Sequence, residues 1–375
     1  MNPELFYQLA LSMVSNIGDV HAKILVKVFG QASEIFKASQ SVLEQIEGIG
    51  PVRARAIRNF NSFHLVEREL EFMKRNGVRS LFLTDPDYPQ RLLHCYDSPT
   101  LLFYKGEANL NASRVLSIVG TRNHTDYGRL FTEKLVRELQ DQNILIISGL
   151  AWGIDALAHK AALRHNLLTV GVVGHGLDTI YPFENAQLAN DMLRHGGGIL
   201  TEFCSETNPE KHNFPLRNRI VAGLSDAVVI VETDIKGGSI ITAKLADAYN
   251  RDVFAAPGRT IDRKSNGCNH LIKYNKAQLL TDAQELLDIM GWSEKKPKKK
   301  KQRELFIELS AEEQKIVQLL QERETIHIDE INLYSGLSSS SIAAAILNLE
   351  IQGIVSALPG KMYRLVSFIA LLLFK

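Results

Sequence analysis

The sequence predicts an α/β fold: a parallel sheet covered by helices on both faces, with a helical domain before it and a small winged-helix-like unit after it. Three observations carry this expectation. From residue 115 onward, short apolar runs alternate with helical patterns. Residues 1–80 read as short helices separated by glycine-bearing turns. Beyond a lysine-rich stretch at 293–304, three helical patterns lead into a hairpin pattern.

Length and composition set the frame. A chain of 375 residues accommodates two or three domains. A hydrophobic fraction of 45% excludes a disordered composition. The formal net charge is only +1, so a basic surface for a polyanion has to be local. Cys95, Cys204 and Cys268 are odd in number and lie far apart, with no CxxC pair. That pattern argues against a disulfide framework and a zinc site, and it fits a reducing cytosol. The start, MNPELFYQLA, lacks a basic region followed by a long apolar run, so no signal peptide is expected. The tail, SFIALLLFK, is apolar but too short to span a bilayer and reads as a terminal strand or docking segment. No membrane partner is expected.

The elements follow in order. In the helical domain SNIGDVHAKILVKVFG (15–30) is echoed by EGIGPVRARAIRNF (47–60), each an Ile-Gly turn followed by a basic helix. Residues 81–113, with DPDYPQ and YDSPT, are rich in turn formers and look like a connecting segment. The core, 114–292, contains the runs VLSIVG (115–120), ILIISG (144–149), LTVGVV (168–173), GILTEF (198–203), AVVIVET (227–233) and DVFAAP (252–257). Short apolar runs of this kind fit strands buried on both faces. The stretch SEKKPKKKKQRE (293–304) reads as a solvated linker that could also attract phosphate.

Residues 305–375 form the last unit. SAEEQKIVQLLQE starts with Ser310, and Glu313 follows three residues on, the spacing of a capping box. HIDEINLYSGL and SSSSIAAAILNLEIQG suggest a helix-turn-helix pair, and IVSALPGKMYRLV a hairpin. The second helix of the pair, 338–351, carries no Lys or Arg, which favours a protein-contact or regulatory role over base reading.

Ligands of an open parallel sheet bind outside the carboxyl ends of its strands. Here those ends lead into GTRNHTDYG, SGLAWGID, GHGLD, TEFCSETNPEKHNFPLRNR, TDIKGGSIITA and APGRT. Glycine turns that open helices offer backbone N–H groups to phosphate. Several of them beside Arg122, Lys211, Arg217 and Arg219 point to a phosphorylated ligand. No GxxxxGK[ST] follows a strand, which disfavours a P-loop ATPase. GVVGHGLD has the wrong spacing and position for a dinucleotide fingerprint. No Ser/His/Asp set or HExxH pair is present, and His159 and His175 read as structural. In KHNFPLRNRIVAGLS, Lys211, Arg217 and Arg219 lie near Phe214. Cations for the backbone beside an aromatic face for bases are the means by which proteins hold single-stranded DNA. The residues alone equally allow Phe214 in the core and arginines in salt bridges.

The ordered series SIVGTRNHTDYG, SGLAWGIDALAHKAAL, GLDTIYPFEN, NFPLRNRIVAGLS, KGGSIITAKLA, VFAAPG and GCNHLI resembles the DNA processing protein A (DprA/Smf) family over residues 115–275. The flanking parts resemble that family's accessory domains less specifically. The resemblance implies an extended Rossmann-like core that homodimerises. It also implies a helix-hairpin-helix or SAM-like N-terminal domain and a winged-helix-like C-terminal domain. The implied function is binding of single-stranded DNA in natural transformation, its protection, and loading of the recombinase RecA. Single-stranded DNA-binding protein is a further candidate partner. No cofactor, metal or catalytic residue is implied. Arg122, in the turn with Gly120 and Thr121, would grip phosphate, as would Lys211. Phe214 would stack on or pack against a base. Arg217 and Arg219, with Asn218, would hold the backbone. Gly237, Gly238 and Ser239 would offer backbone donors. The N-terminal repeat resembles paired helix-hairpin-helix motifs, in which Gly48, Gly50, Arg53 and Arg55 would be secondary DNA contacts; a plain helical domain with tight turns is the alternative.

Two other functions compete at this stage. KGGS resembles the glycine-rich turn of Rossmann-like nucleotide hydrolases, yet the residues after Ser239 are Ile240, Ile241, Thr242 and Ala243, not the catalytic Glu of that group. A ligand-sensing regulator acting through the winged-helix-like unit is the other.

Overall fold

A computed structural model describes residues 3–293, 309–323 and 325–366. The expected lysine-rich linker, apart from Ser293, and the apolar tail beyond Val366 lie outside the described residues. The chain divides into two compact units, Met1–Glu294 and Lys295–Lys375.

The first unit opens with six helices: α1 (Pro3–Met13), α2 (Asp19–Phe29), α3 (Ala32–Lys37), α4 (Gln40–Glu44), α5 (Gly50–Arg58) and α6 (Phe63–Asn76). Next come β1 (Arg79–Phe82), α7 (Gln90–Leu93) and β2 (Leu101–Gly106). The alternating part runs β3 (Val115–Gly120), α8 (Asp126–Glu138), β4 (Leu145–Ser148), α9 (Ile154–Arg164), β5 (Thr169–Val172), α10 (Ala186–Arg194), β6 (Gly198–Thr201) and α11 (Asn213–Leu224). It ends with β7 (Ala227–Val231), α12 (Gly238–Ala248), β8 (Asp252–Ala255), α13 (Asn266–Lys273), β9 (Gln278–Leu279) and α14 (Ala283–Ile289).

These strands build one nine-stranded sheet in the order β1-β2-β6-β5-β4-β3-β7-β8-β9. The pairings from β6 to β9 are parallel, whereas β1–β2 and β2–β6 are antiparallel. The six apolar runs read from the sequence are β3 to β8. Their two-sided burial is visible in β7. Val228 and Ile230 join one core layer with Ile220 and Val221 of α11 and Ile240 of α12. Ala227, Val229 and Val231 join the opposite layer with Leu135 of α8 and Ala158 of α9. Successive side chains of a strand point to opposite faces, so both sides require apolar residues.

The segment 81–113 differs from the expected plain connection, because it holds β2 and the end of β1. Phe82, Leu101 and Phe103 from these strands share a core with Leu9, Leu25, Leu43 and Ile57 of the helices. The helical domain is thereby packed onto the edge of the main sheet.

The order of the strands places the site. From β3 the chain winds one way through β4, β5 and β6, then β7 returns to the other side of β3. The crevice between the carboxyl ends of β3 and β7 is a topological switch point, where open α/β sheets bind their ligands.

The second unit contains α15 (Ala311–Gln321), β10 (Ile326–His327), α16 (Ile328–Ser335), α17 (Ser339–Ile351), β11 (Val355–Leu358) and β12 (Met362–Leu365). Its strands pair in the order β10-β12-β11. Ile316, Leu320, Ile331, Ile342, Ile346 and Leu349 form its core. The expected capping box is present: the Glu313 N–H donates to Ser310 Oγ at 3.2 Å, and the Ser310 N–H to Glu313 Oε2 at 2.8 Å. Three helices and a hairpin match the winged-helix expectation.

Candidate nucleic-acid interface

A cleft of about 690 Å³ opens at the switch point, and Gly120, Thr121, Arg122, Lys211, Phe214, Arg217, Asn218, Gly237, Gly238 and Ser239 all line it. Residues distant in sequence are thus gathered on one edge of the sheet.

The loop carrying Arg122 is pinned from below. The Thr121 N–H donates to the Glu232 carbonyl at 2.8 Å. The buried Glu232 carboxylate accepts from the Thr125 N–H at 2.8 Å and from the Thr125 hydroxyl, while Thr125 caps α8. Arg122 itself is exposed and makes no ion pair among the described residues. Its guanidinium carbon lies 5.2 Å from the centroid of the Phe214 ring, a cation–π separation.

The opposite wall comes from the approach to α11. Lys211 is exposed, and Phe214 is half-buried. Arg217 sits deeper, 4% exposed, and donates through Nη1 to the Val172 carbonyl at 2.6 Å. Burial lowers Arg217 to about 10, while nearby Asp155 pulls it up. Burial likewise pushes the Asp155 carboxyl up, against the pull of Arg217. Gly149 makes this arrangement possible: a Cβ there would fall 1.8 Å from Arg217 Nη1 and 2.5 Å from Asp155 Oδ2.

The third side is the start of α12. Gly237 is its N-cap, and Gly238 and Ser239 open the helix. The first N–H groups of a helix lack intrahelical acceptors and carry the positive end of its dipole. Asp234 at the rim is neutralised by Arg263, whose Nε lies 2.7 Å from Oδ2; that hydrogen bond holds the carboxyl below its usual range.

Arg219 departs from the expectation that it holds a DNA backbone. It is 8% exposed and is not among the cleft-lining residues. Its guanidinium pairs with Asp19 Oδ2 at 3.1 Å and with Glu202, and donates to the Asp97 carbonyl. Two residues along a helix is a turn of roughly 200°, so Arg217 and Arg219 occupy opposite sides of α11. Burial pushes the Glu202 carboxyl up to about 7 despite the pull of Arg219.

In the N-terminal hairpin, Gly48 and Gly50 have φ values of 86° and 61°, the left-handed region that favours glycine. Arg53 donates to the Gly48 and Asn16 carbonyls at 3.2 Å each, bracing the two Ile-Gly turns against one another. Arg55 is exposed. The two histidines serve structure. His159, held near 3 by burial, hydrogen-bonds Thr169 Oγ1 at 2.6 Å. His175 is fully buried, and its Nε2 accepts from the Tyr181 N–H at 3.1 Å. Cys95, Cys204 and Cys268 are free thiols.

Asp155, Trp152 and Tyr181 were not singled out by the sequence reading. Asp155 and Tyr181 line the cleft, and Trp152 neighbours Tyr181 with ring centroids 5.9 Å apart. All three lie in strand-tip segments, SGLAWGID and GLDTIYPFEN. Aromatic residues in the glycine-bearing loops after β4 and β5 were the available signal.

Fold and cleft together define a Rossmann-like α/β protein with a cation-lined cleft at the switch point and a separate winged-helix unit. Residues 79–291 match the family described as DNA recombination-mediator protein A, and residues 300–361 match the DprA winged helix domain. The chain is 35% identical to Protein Smf of Synechocystis over 97% of its length and 99% of that protein's. The X-ray structure of DNA processing protein A from Streptococcus pneumoniae superposes with a TM-score of 0.65 at 31% identity, covering 77% of this chain and 98% of that one. For the Helicobacter pylori DNA processing protein A the TM-score is 0.51 at 32% identity, covering 57% and 95%. The chain belongs to the DNA recombination-mediator protein A (DprA/Smf) family.

Proposed function

We propose that this protein binds single-stranded DNA in the switch-point cleft, without reading base sequence, and delivers it to the recombinase RecA in natural transformation. The observation that supports this most directly is the convergence on one cleft of exposed Arg122 and Lys211, the Phe214 ring and the start of α12. Cations and helix N–H groups suit phosphates, and an aromatic face suits any base. The Helicobacter pylori structure addresses that protein's single-stranded DNA binding mode, which agrees with this reading. In this scheme Arg122, Lys211, Asn218 and the Gly237–Ser239 turn touch the backbone, and Phe214 touches a base. Arg217 supplies charge from beneath the floor, while Arg219 shapes α11. Gly48, Gly50, Arg53 and Arg55 form a secondary contact surface.

A titration of the full chain with single-stranded DNA, duplex DNA and RNA at two salt concentrations tests the reading. Preference for single strands with an affinity that falls as salt rises is the expected result. Equal affinity for duplex would sink it. Delivery to the recombinase is tested by its filament assembly on DNA coated with single-stranded DNA-binding protein, with and without this chain. Homodimer formation is checked by light scattering. We further infer that the protein works in the cytosol. Among the described residues no helix is long and apolar enough to cross a membrane.

A further inference from the structure

Resting on the reading that the cleft binds single-stranded DNA, we propose that Tyr181 and Trp152 form a second nucleobase subsite, which takes the base adjacent to the one at Phe214. The three rings are neighbours around one small pocket, with Tyr181 in contact with both others. Phe214 and Tyr181 have centroids 6.0 Å apart with planes inclined by 35°. Tyr181 and Trp152 are 5.9 Å apart at 60°. Tyr181 lies in the loop after β5 and Trp152 in the loop after β4.

Exposure distinguishes these rings from core residues. Trp152 is 40% exposed and Tyr181 37%. Large aromatic side chains left in water beside a cationic cleft carry an apolar face that a base can cover. Phe214, by contrast, is half-buried and has Arg122 over its ring, so one base there leaves the outer rings free for the next.

The supporting loops are held in place before any ligand arrives. The buried Asn185 amide donates to the Leu150 carbonyl at 2.9 Å and to the Ala151 carbonyl at 3.3 Å, fixing the segment that ends in Trp152. Leu150 adopts φ of 54°, a backbone state that branched residues rarely take and that persists only where surroundings enforce it. The Tyr181 N–H is held by His175 Nε2, and the same imidazole donates through Nδ1 to the Gly176 carbonyl at 2.8 Å. Preformed rings save the entropy of ordering them on binding.

The spacing carries a further consequence. A step near 6 Å exceeds the rise of about 3.4 Å between stacked bases of a duplex strand. Two bases that each cover a ring of their own are expected to unstack from one another. Bases of a duplex are held in their stack, so the rings favour single strands, whatever their sequence.

Fluorescence tests the subsite. The chain has two tryptophans, Trp152 and Trp292, and Trp292 is 9% exposed within the core. In full-length protein carrying Trp292→Phe, Trp152 is the sole indole. A dye-labelled oligothymidine is titrated by anisotropy, and its unlabelled counterpart by indole emission. Saturation is expected to quench Trp152. Trp152→Ala is expected to lose roughly tenfold in affinity, and Trp152→Phe to retain most of it, with unchanged melting temperatures. If Trp292→Phe does not fold, the difference in emission between wild type and Trp152→Phe reports the same quenching. Normal oligonucleotide binding with unquenched Trp152, or with unaltered affinity in Trp152→Ala, overturns the subsite and leaves the cleft reading intact. Absence of any binding by the wild-type chain overturns the cleft reading and the subsite with it.

Discussion

The Arg122 guanidinium carbon stands 5.2 Å from the Phe214 ring centroid, joining residues on different walls of the cleft through a single cation–π contact. Arg122 is exposed and bears little structural load. Arg122→Ala is expected to weaken single-stranded DNA binding for all sequences and to reduce the slope of log K against log salt by about 0.7, the value of one lost phosphate contact. The melting temperature is expected to stay unchanged. An unaltered salt slope would remove Arg122 from the interface.

Phe214 separates stacking from packing. Base–aromatic stacking is worth about 1–3 kcal/mol. Phe214→Ala is therefore expected to lose roughly ten- to a hundredfold in affinity, with Phe214→Tyr and Phe214→Trp retaining most binding. A thermal melt and a DNA titration on the same protein check this. A large melting shift with normal binding by the folded fraction would assign the ring to the core instead.

Arg219 belongs to the scaffold, and its loss is expected to register as instability. Breaking a buried pair costs about 3–5 kcal/mol, because the partner charge is left uncompensated. The pH dependence follows from Glu202. Its folded value, about 7, lies above its ordinary 4.5, so the native state holds a proton that the unfolded chain releases between these values. Its contribution to stability is fully present below 4.5 and declines as pH rises through 7. Removing Arg219 raises the folded value further. The deficit of Arg219→Met is thus expected to be larger at about pH 8 than at about pH 5, as read from urea unfolding.

Gly149 offers a test of the buried Arg217–Asp155 arrangement. Gly149→Ala places a methyl group 1.8 Å from Arg217 Nη1, so the guanidinium has to move. The expected outcome is a destabilised protein, by about 1–3 kcal/mol as for other overpacked interiors, whose folded fraction also binds DNA more weakly. Full stability and binding would show that the floor of the cleft tolerates displacement of Arg217.

The two units predict a clean truncation. Ending the chain at Trp292 keeps nearly all of the first unit. That fragment is expected to melt cooperatively and to bind single-stranded DNA with the salt dependence of the full chain. Loss of all binding would place part of the site in the removed residues.

The parallel core was legible because β3 to β8 are short apolar runs, most of them followed by a glycine-bearing turn. The β1–β2 pair was not, because its strands of four and six residues are separated by a turn-rich stretch that dominates the local signal. In the site, Arg122 and Phe214 stood out through the chemistry of their neighbours. Arg219 misled because it shares a motif with Arg217, and sequence adjacency hides the opposite sides of a helix. Asp19, its partner 200 residues away, could be found only by folding the chain. Trp152 and Tyr181 went unmarked because they stand in separate loops, and only the fold brings them side by side.

The Thr125–Glu232 hydrogen bond joins residues 107 positions apart, and β3 likewise waits for β7 as its neighbour. During synthesis, Arg122 leaves the ribosome long before the strand that fixes its loop. A nascent chain halted between Arg122 and β7 carries the arginine but not the strand that completes the cleft. The turn that carries Arg122 therefore becomes a wall of the cleft only once β7 has paired with β3.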